Sequence, residues 1–213
     1  GLGGGTGTGA APGVAEEAAA CGALTVAIVT LPFAFENPER MANATQGLNE
    51  LEKHVDTLIV VPNDRVALLS QNNMSFLNAF NMADEVLHNG VRAISELITV
   101  KGLINLDFAD VRTVMQARGR ALMGVGSAEG ENRAKLAAEE AIVCPLIEQS
   151  NINGAKGVIV NINGGCDIRM AEVMEAVSAV KASAHEDANI IVGAVVDKEK
   201  EHDEIQVTVI AAG

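Results

Sequence analysis

Aromatic residues are nearly absent from this sequence, which contains five Phe but neither Trp nor Tyr. Hydrophobic residues nevertheless make up 48% of its 213 positions, which is ample for a packed core. That core must therefore be built from aliphatic side chains. A chain of this length forms one large domain or two small ones.

Basic residues are also scarce, because 15 Lys and Arg face 28 Asp and Glu, for a net charge of −13. This balance argues against nucleic acid or an anionic membrane as a main partner, since both select a basic face. An acidic chain can still bind a nucleotide. Backbone N–H groups and a bound cation then supply the local positive field.

Cysteine occurs only at Cys21, Cys144 and Cys166, without a CxxC pair, which is typical of a reduced, cytosolic protein. The four His residues are scattered and none lies in a ligand motif, so we expect no metal site built from protein side chains. Apolar stretches such as residues 23–35 are too short and too interrupted to span a bilayer, and we find no signal peptide.

Apolar, β-branched runs alternate with helical patterns along the chain, which predicts an α/β fold. The predicted strands are residues 24–30, 57–63, 157–162, 189–196 and 205–211. The predicted helices are APGVAEEAAACG, with Pro12 in a first turn and Gly22 at the C-terminal cap, a long stretch over 75–99, and then FADVRTVMQARG, ENRAKLAAEEAI and MAEVMEAVSAVKASA. Residues 198–204 read as an exposed turn between the last two strands.

The order of these elements divides the chain at the long helix. Residues 1–74 contain only the later elements of a Rossmann-like nucleotide-binding sheet, so we interpret them as a partial domain whose first half is absent. Residues 75–101 form a central helix. Residues 102–213 form a second α/β domain with a mixed sheet.

The sequence opens with GLGGGTGTG, which raises three interpretations. It lacks the Lys-Ser/Thr pair of a Walker A loop, which argues against a P-loop NTPase. Gly5-x-Gly7-x-x-Ala10 matches the looser dinucleotide fingerprint, but the next strand ends without the acidic residue that this site requires. The remaining interpretation is a glycine loop at a helix N-terminus that faces phosphate. A flexible N-terminal tail is its structural alternative.

Three further groups of residues have a structural and a functional interpretation. Glu36 and Arg40, at i,i+4, form either a surface ion pair or part of a binding site. Phe80 and Asp84 have the same spacing on the long helix, and their structural interpretation is a core aromatic ring beside a solvated carboxylate. In GLINLDFADV, the carboxylates three residues apart equally suit a helix cap or catalysis.

Several long motifs indicate one resemblance. The chain resembles the tubulin/FtsZ family of GTPases along nearly its whole length, in the motifs GLGGGTGTGAAP, PFAFENPERM, VPND, GLINLDFADVRTVM, GENRA, GAKGVIVNINGG and VTVIAAG. The resemblance implies a GTPase of bacterial cell division that assembles head to tail into filaments. It also implies a cytoplasmic location at the mid-cell division ring, with further division partners that the sequence does not identify.

The resemblance assigns the binding residues. The glycine loop would wrap the phosphates of GTP through Gly3, Gly4, Gly5, Thr6, Gly7 and Thr8. Glu36 and Arg40 would contact the sugar and phosphate side. Phe80 would stack on the purine, and Asp84 would accept hydrogen bonds from guanine, a donor pair that adenine lacks.

The resemblance also assigns the chemistry to Asn105, Asp107 and Asp110, with the two carboxylates orienting the attacking water at the γ-phosphate of a neighbouring molecule. Hydrolysis would then depend on assembly, since phosphoryl transfer needs positioned charge and an oriented water. Mg²⁺ would be held mainly by phosphate oxygens.

One departure from the family concerns its N-terminal part. The family's first strand and an earlier glycine-rich turn have no counterpart here, so we expect an N-terminally truncated chain. The alternative to the GTPase is therefore a non-catalytic fragment that acts only as a filament-association or capping module, folded from about Gly102 onward.

Overall fold

The structure, a computed structural model, describes residues 1–69, 76–100, 102–104, 107–116, 119–147, 155–197 and 203–213, with the backbone alone at Phe76. Its helices are α1 (Gly5–Ala20), α2 (Pro38–Leu51), α3 (Asn63–Ala67), α4 (Phe76–Thr99), α5 (Phe108–Met115), α6 (Arg133–Ile142) and α7 (Met170–Ser183). Its strands are β1 (Val26–Leu31), β2 (Thr57–Pro62), β3 (Gly119–Glu129), β4 (Gly157–Gly164), β5 (Asn189–Val196) and β6 (Glu204–Ala212).

These strands form one six-stranded mixed sheet in the order β1-β2-β3-β6-β4-β5. The pairs β1–β2, β2–β3 and β4–β5 are parallel, whereas β6 runs antiparallel to both β3 and β4. Five strands therefore point in one direction, and their carboxyl ends lie at one edge of the sheet. In open α/β sheets this is the edge at which ligands bind. The predicted α/β class, with a long helix and a mixed sheet, is confirmed.

Two aliphatic layers cover the sheet. Side chains alternate along β4, so Ile159 faces the layer of α4 and α5, whereas Val158 and Val160 face α6 and α7. The first layer buries Val86 and Leu97 of α4. No aromatic ring occurs in either cluster among the described residues, as the composition predicts.

Strand β3 was not predicted from the sequence. Gly124 and Gly126 interrupt its apolar pattern, and glycine inside a strand lowers any strand prediction. The structure supplies the reason for both glycines. A Cβ atom at Gly124 would lie 2.0 Å from the carbonyl oxygen of Ala141, and one at Gly126 would lie 2.2 Å from that of Ala137. Helix α6 thus packs directly on the backbone of β3.

The start of α1 was predicted too late. The helix begins at Gly5, so Pro12 lies in its interior instead of in a first turn. Glycine and threonine are weak helix formers, and here tertiary packing overrides that weakness, since the Cα and methyl group of Thr8 lie against Gly47 of α2. Gly22 has a φ of +75° just after the helix, which agrees with its predicted place at the cap.

Other predictions are partly outside the described residues. The long helix runs over Phe76–Thr99, and most of the predicted turn over 198–204 lies outside the described residues. The sheet continues from β2 into β3 through pairs that begin at Thr57 and Gly119. The division into residues 1–74, 75–101 and 102–213 remains a prediction. Within the described chain, no helix combines the length and the apolar character needed to cross a bilayer.

Arg133, at the start of α6, is the centre of a buried ion cluster. Its side chain is 4% exposed and contacts Glu172 of α7 at 2.8 Å, Asp167 at 2.7 Å and Asp203 at 3.5 Å. The backbone N–H of Arg169 also donates to Glu172, at 2.8 Å. The cluster ties α6, α7 and the beginning of β6 together.

The pKa of Glu172 is lowered from 4.5 to about 2, chiefly by hydrogen bonds from Arg133, while burial acts in the opposite direction. A carboxyl whose pKa falls on folding contributes stability above its unfolded pKa and loses it as the pH falls toward the folded pKa. For wild type we expect a loss of about 2 to 3 kcal/mol in the free energy of unfolding between roughly pH 5 and pH 2 from this group.

Glu172→Gln tests this expectation by urea denaturation. At neutral pH the variant should lose about 2 to 4 kcal/mol, because Arg133 keeps its charge in a buried place with one carboxylate fewer. It should also lack the part of the acid dependence that belongs to Glu172. The control is Glu139→Gln, which breaks an exposed pair with Lys135 and should change stability by less than about 0.5 kcal/mol. Equal losses in both variants would contradict the prediction.

Candidate functional site

A cavity of about 270 Å³ lies at the carboxyl ends of β1 and β2. Four of the side chains that the sequence analysis selected meet there, although they come from distant parts of the chain. The lining residues are Gly1, Leu2, Gly4, Thr30, Pro32, Glu36, Arg40, Asn63, Phe80, Ala83, Asp84 and Leu87. The cavity thus combines an ion pair, an aromatic ring, a carboxylate and the N-terminal end of α1.

The glycine segment turns sharply before it enters α1. Gly3 has a φ of +103°, and a Cβ atom there would lie 2.7 Å from the ring of Pro32 and 2.9 Å from the carbonyl oxygen of Arg40. Only glycine fits this place. Gly4 then occupies the N-cap, where no described side chain caps the helix. The first N–H groups of α1 are thus left for an anion, which is the usual chemistry of a helix N-terminus.

Of the six glycine-loop residues that the sequence analysis assigned to phosphate, only Gly4 lines the cavity. Gly5, Thr6, Gly7 and Thr8 are not a loop but the first residues of α1, which corrects the predicted conformation. The hydroxyl of Thr8 accepts a hydrogen bond from the N–H of Gly3 at 2.8 Å. This bond holds the turn against the helix that follows it.

Glu36 and Arg40 form the ion pair that their spacing predicts, and both also line the cavity. Pro38 does not make the segment irregular, because it is the first residue of α2 and Asn37 caps that helix. Glu36 is further held by the N–H of Phe33, which donates to its Oε1 at 2.9 Å. The carboxylate is thus fixed from two sides.

Phe80 and Asp84 lie one turn apart on α4 and face the same cavity. Beside them is Asn63, which the sequence analysis did not select as a site residue. Its side chain is 7% exposed, and its Oδ1 finds no hydrogen-bond partner within the described residues. The available signal was an asparagine directly after an apolar strand, in VPND. A buried acceptor that lacks a donor indicates a place where a ligand donor fits.

Asp107 and Asp110 lie on a different part of the molecule, at the start of α5, and do not line the cavity. Asp107 is the N-cap of α5, and its Oδ1 accepts a hydrogen bond from the N–H of Ala109 at 3.0 Å. The structural interpretation of Asp107 as a helix cap is therefore confirmed. Both side chains are exposed. Asn105 lies outside the described residues.

Two anchors hold this acidic segment away from the cavity. Before it, the N–H of Leu103 donates to the carbonyl oxygen of Ala194 at 2.8 Å, beyond the far end of α4. After it, the hydroxyl of Thr57 at the start of β2 bonds the carbonyl oxygen of Met115. Thr57 is about 17 Å along the strand from Pro62, at the end of β2 that borders the cavity.

Helix α4 gives an independent measure of the separation. Asp84 and Thr99 are fifteen residues apart on one continuous helix, which corresponds to about 22 Å.

Among the described residues, no group of three or more His, Cys, Asp or Glu side chains is placed to hold a metal ion. The magnesium that the resemblance implies would need other oxygen atoms, and the phosphates of a nucleotide supply them.

Comparisons with known proteins identify the family. Residues 1–71 match the model of the tubulin/FtsZ family GTPase domain, and residues 119–213 match that of the FtsZ family C-terminal domain. The whole chain is 51% identical to cell division protein FtsZ 1 of Rhizobium meliloti and 50% identical to cell division protein FtsZ of Caulobacter vibrioides. It spans 36% and 42% of those proteins, respectively.

A solved structure agrees as well. The whole chain superposes on an empty FtsZ dimer from M. jannaschii with a TM-score of 0.94 and 45% sequence identity, and covers 61% of that chain. The motifs, the sheet order and the two family models therefore support one assignment. The chain belongs to the tubulin/FtsZ family.

Proposed function

We propose that this chain binds GTP in the cavity at the end of β1 and β2, and that Asp107 and Asp110 of a second copy complete the site for hydrolysis. The observation that carries the proposal is the separation between the two groups of residues. The acidic segment follows the end of α4, which lies about 22 Å along that helix from Asp84, and Leu103 before the segment is held at Ala194. We therefore infer that the segment serves another molecule.

The cavity suits a guanine nucleotide. The N-terminal end of α1 at Gly4 would receive the phosphates, and Arg40 adds a cation on the same side. Phe80 would stack on the purine. Asp84 would accept hydrogen bonds from the N1–H and the amino group of guanine, whereas adenine would leave this carboxylate unpaired. Magnesium would accompany the triphosphate through phosphate oxygens.

The acidic segment suits the chemical step. Asp107 and Asp110 are exposed on one helical turn, so both can face a bound nucleotide on an adjacent molecule. Their carboxylates would orient and polarise the attacking water, with Asn105 beside them. Phosphoryl transfer proceeds with little covalent participation of the protein, and positioning across an interface is sufficient.

A site divided in this way links hydrolysis to assembly. Each molecule offers a cavity at one end and an acidic segment at the other, so repeated head-to-tail contact builds a filament. We propose that this is a cytoskeletal filament of bacterial cell division, in the cytoplasm and at the mid-cell division ring, and the family assignment supports this proposal. The partner is a second copy of this chain.

The first prediction concerns the base. Asp84→Asn should weaken GTP binding by about 10- to 100-fold, because guanine loses a charged acceptor. The same variant should bind xanthosine triphosphate better than wild type does, since an amide can donate to the C2 oxygen of xanthine. Equilibrium dialysis with both nucleotides measures the change. Asp187→Asn, at an exposed carboxylate on the loop before β5, is the control and should leave both affinities unchanged.

The second prediction concerns the shared site. Asp110→Ala should reduce GTP turnover by about 100-fold or more, because a positioned charge is lost from the transition state, while the Kd for GTP stays unchanged. Wild-type turnover per molecule should rise with protein concentration, and Asp187→Ala should behave as wild type.

Mixing two variants, each defective in one part of the site, gives the sharper measurement. Asp110→Ala retains an intact cavity, and Asp84→Asn retains an intact acidic segment, so at a GTP concentration too low to occupy the Asp84→Asn cavity a mixture should turn GTP over faster than the two variants do separately. Turnover that is independent of concentration, unaffected by Asp110→Ala and not restored by mixing would refute the shared site. A chain that blocks filament growth of a full-length family member at low stoichiometry, without turnover of its own, would instead be the capping module.

A further inference from the structure

The five Phe residues of this chain are not evenly distributed. Phe33, Phe35 and Phe80 form one continuous stack beside the cavity. The rings of Phe33 and Phe35 are nearly parallel, with centroids 5.0 Å apart and an interplanar angle of 15°. The rings of Phe33 and Phe80 meet edge to face, at 5.2 Å and 78°. Phe33 is the central ring and contacts both neighbours.

We propose that Phe33 is a positioning residue that fixes the ring of Phe80 for stacking on the base of the nucleotide. This inference rests on the proposed function, since it concerns the same cavity. Phe33 does not line the cavity, whereas Phe80 does, so any effect of Phe33 on the base must pass through Phe80.

The backbone around Phe33 is held firmly enough for this role. Its N–H donates to Oε1 of Glu36 at 2.9 Å, and its carbonyl oxygen accepts from the N–H of Glu36 at 3.0 Å. The next N–H, of Ala34, lies 3.1 Å from each carboxylate oxygen of Asp64. The side chain of Phe33 is only 3% exposed. A buried ring on a turn fixed by three hydrogen bonds is a rigid support.

Phe80 needs such a support because of its place on α4. It lies near the beginning of that helix and is only partly buried, and terminal torsions of aromatic side chains are broad. An edge-to-face contact with a fixed ring selects one orientation of the plane. The base would then meet a ring already in its stacking orientation, and no conformational freedom would be lost on binding.

The same turn connects both sides of the nucleotide. The backbone of Phe33 holds Glu36, which the family resemblance assigns to the sugar and phosphate side, whereas its ring holds Phe80 on the base side. The two effects are separable by mutation. Replacing the ring leaves the backbone hydrogen bonds in place, so only the base side should change.

The test is a double-mutant cycle on GDP binding in this chain, with the variants Phe33→Leu, Phe80→Leu and the double variant. Phe33→Leu should weaken GDP binding roughly threefold to tenfold, which is the value of one aromatic pair. Once Phe80 is already leucine, the change at Phe33 should have no further effect. Leu136→Ala removes an exposed apolar side chain of α6 that does not line the cavity and is the control, with an unchanged Kd.

The affinity for inorganic tripolyphosphate, measured as a competitor of GDP, separates positioning of Phe80 from general damage to the cavity. General damage would lower this affinity as well. Its affinity contains no stacking, so Phe33→Leu should leave it unchanged. Thermal unfolding checks that each variant is folded, and Phe33→Met replaces Phe33→Leu if the latter is not.

The possible failures are distinguishable. Independent, additive losses from the two rings, or an equal loss of tripolyphosphate affinity, would overturn the role of Phe33 while leaving the nucleotide site intact. A wild-type chain that does not bind GDP would overturn the proposed function and this inference together.

Discussion

The rigidity of helix α4 is the constraint on which the arrangement of this molecule depends. Its apolar face buries Val86, Ala93 and Leu97 against the sheet, and polar contacts fasten it along its length. Asn161 of β4 donates to the carbonyl oxygen of Ala93 at 3.4 Å, and Arg92 contacts Asp197 at 2.6 Å. A helix held in this way cannot shorten, so the cavity at its beginning and the acidic segment beyond its end stay apart. The hydrolysis that we propose uses both, and it would therefore need two molecules.

Small residues are the second feature that shapes the fold. Alanines of α6 pack on glycines of β3, and Gly3 lies between Pro32 and the backbone of Arg40. Each contact requires a backbone approach that a Cβ atom would prevent. A core assembled from such contacts and from aliphatic side chains has little need of large rings. Three of the five Phe residues instead meet beside the cavity, and of these Phe80 lines it.

Electrostatics explain how so acidic a chain could hold the triphosphate that we propose for the cavity. The positive field at the cavity comes from backbone N–H groups at the start of α1 and from one guanidinium, at Arg40, so the net charge of the chain does not decide it. Carboxylates near the site are restrained, as when Glu36 is held by Arg40 and by the N–H of Phe33. Elsewhere Arg133 pairs with the buried carboxylate of Glu172, and its contacts join α6, α7 and the beginning of β6.

Local patterns in the sequence determined much of this structure by themselves. Five strands, the long helix and the ion pair of Glu36 with Arg40 follow from short-range periodicity and spacing, which are properties of neighbouring residues. The motifs determined the family. The spacing of Asp107 and Asp110 did not by itself indicate catalysis, since a helix cap explains that spacing equally well. Asp107 does cap α5.

Only the tertiary structure decided the rest. Strand β3 and the early start of α1 depend on α6 and α2, which are distant in sequence and override weak local propensity. Asn63 became a candidate because burial left its oxygen without a partner among the described residues, and burial is a property of the folded chain. The separation of the cavity from the acidic segment was likewise not evident in the sequence, because it is set by how α4 and the sheet pack and not by the residues at either place.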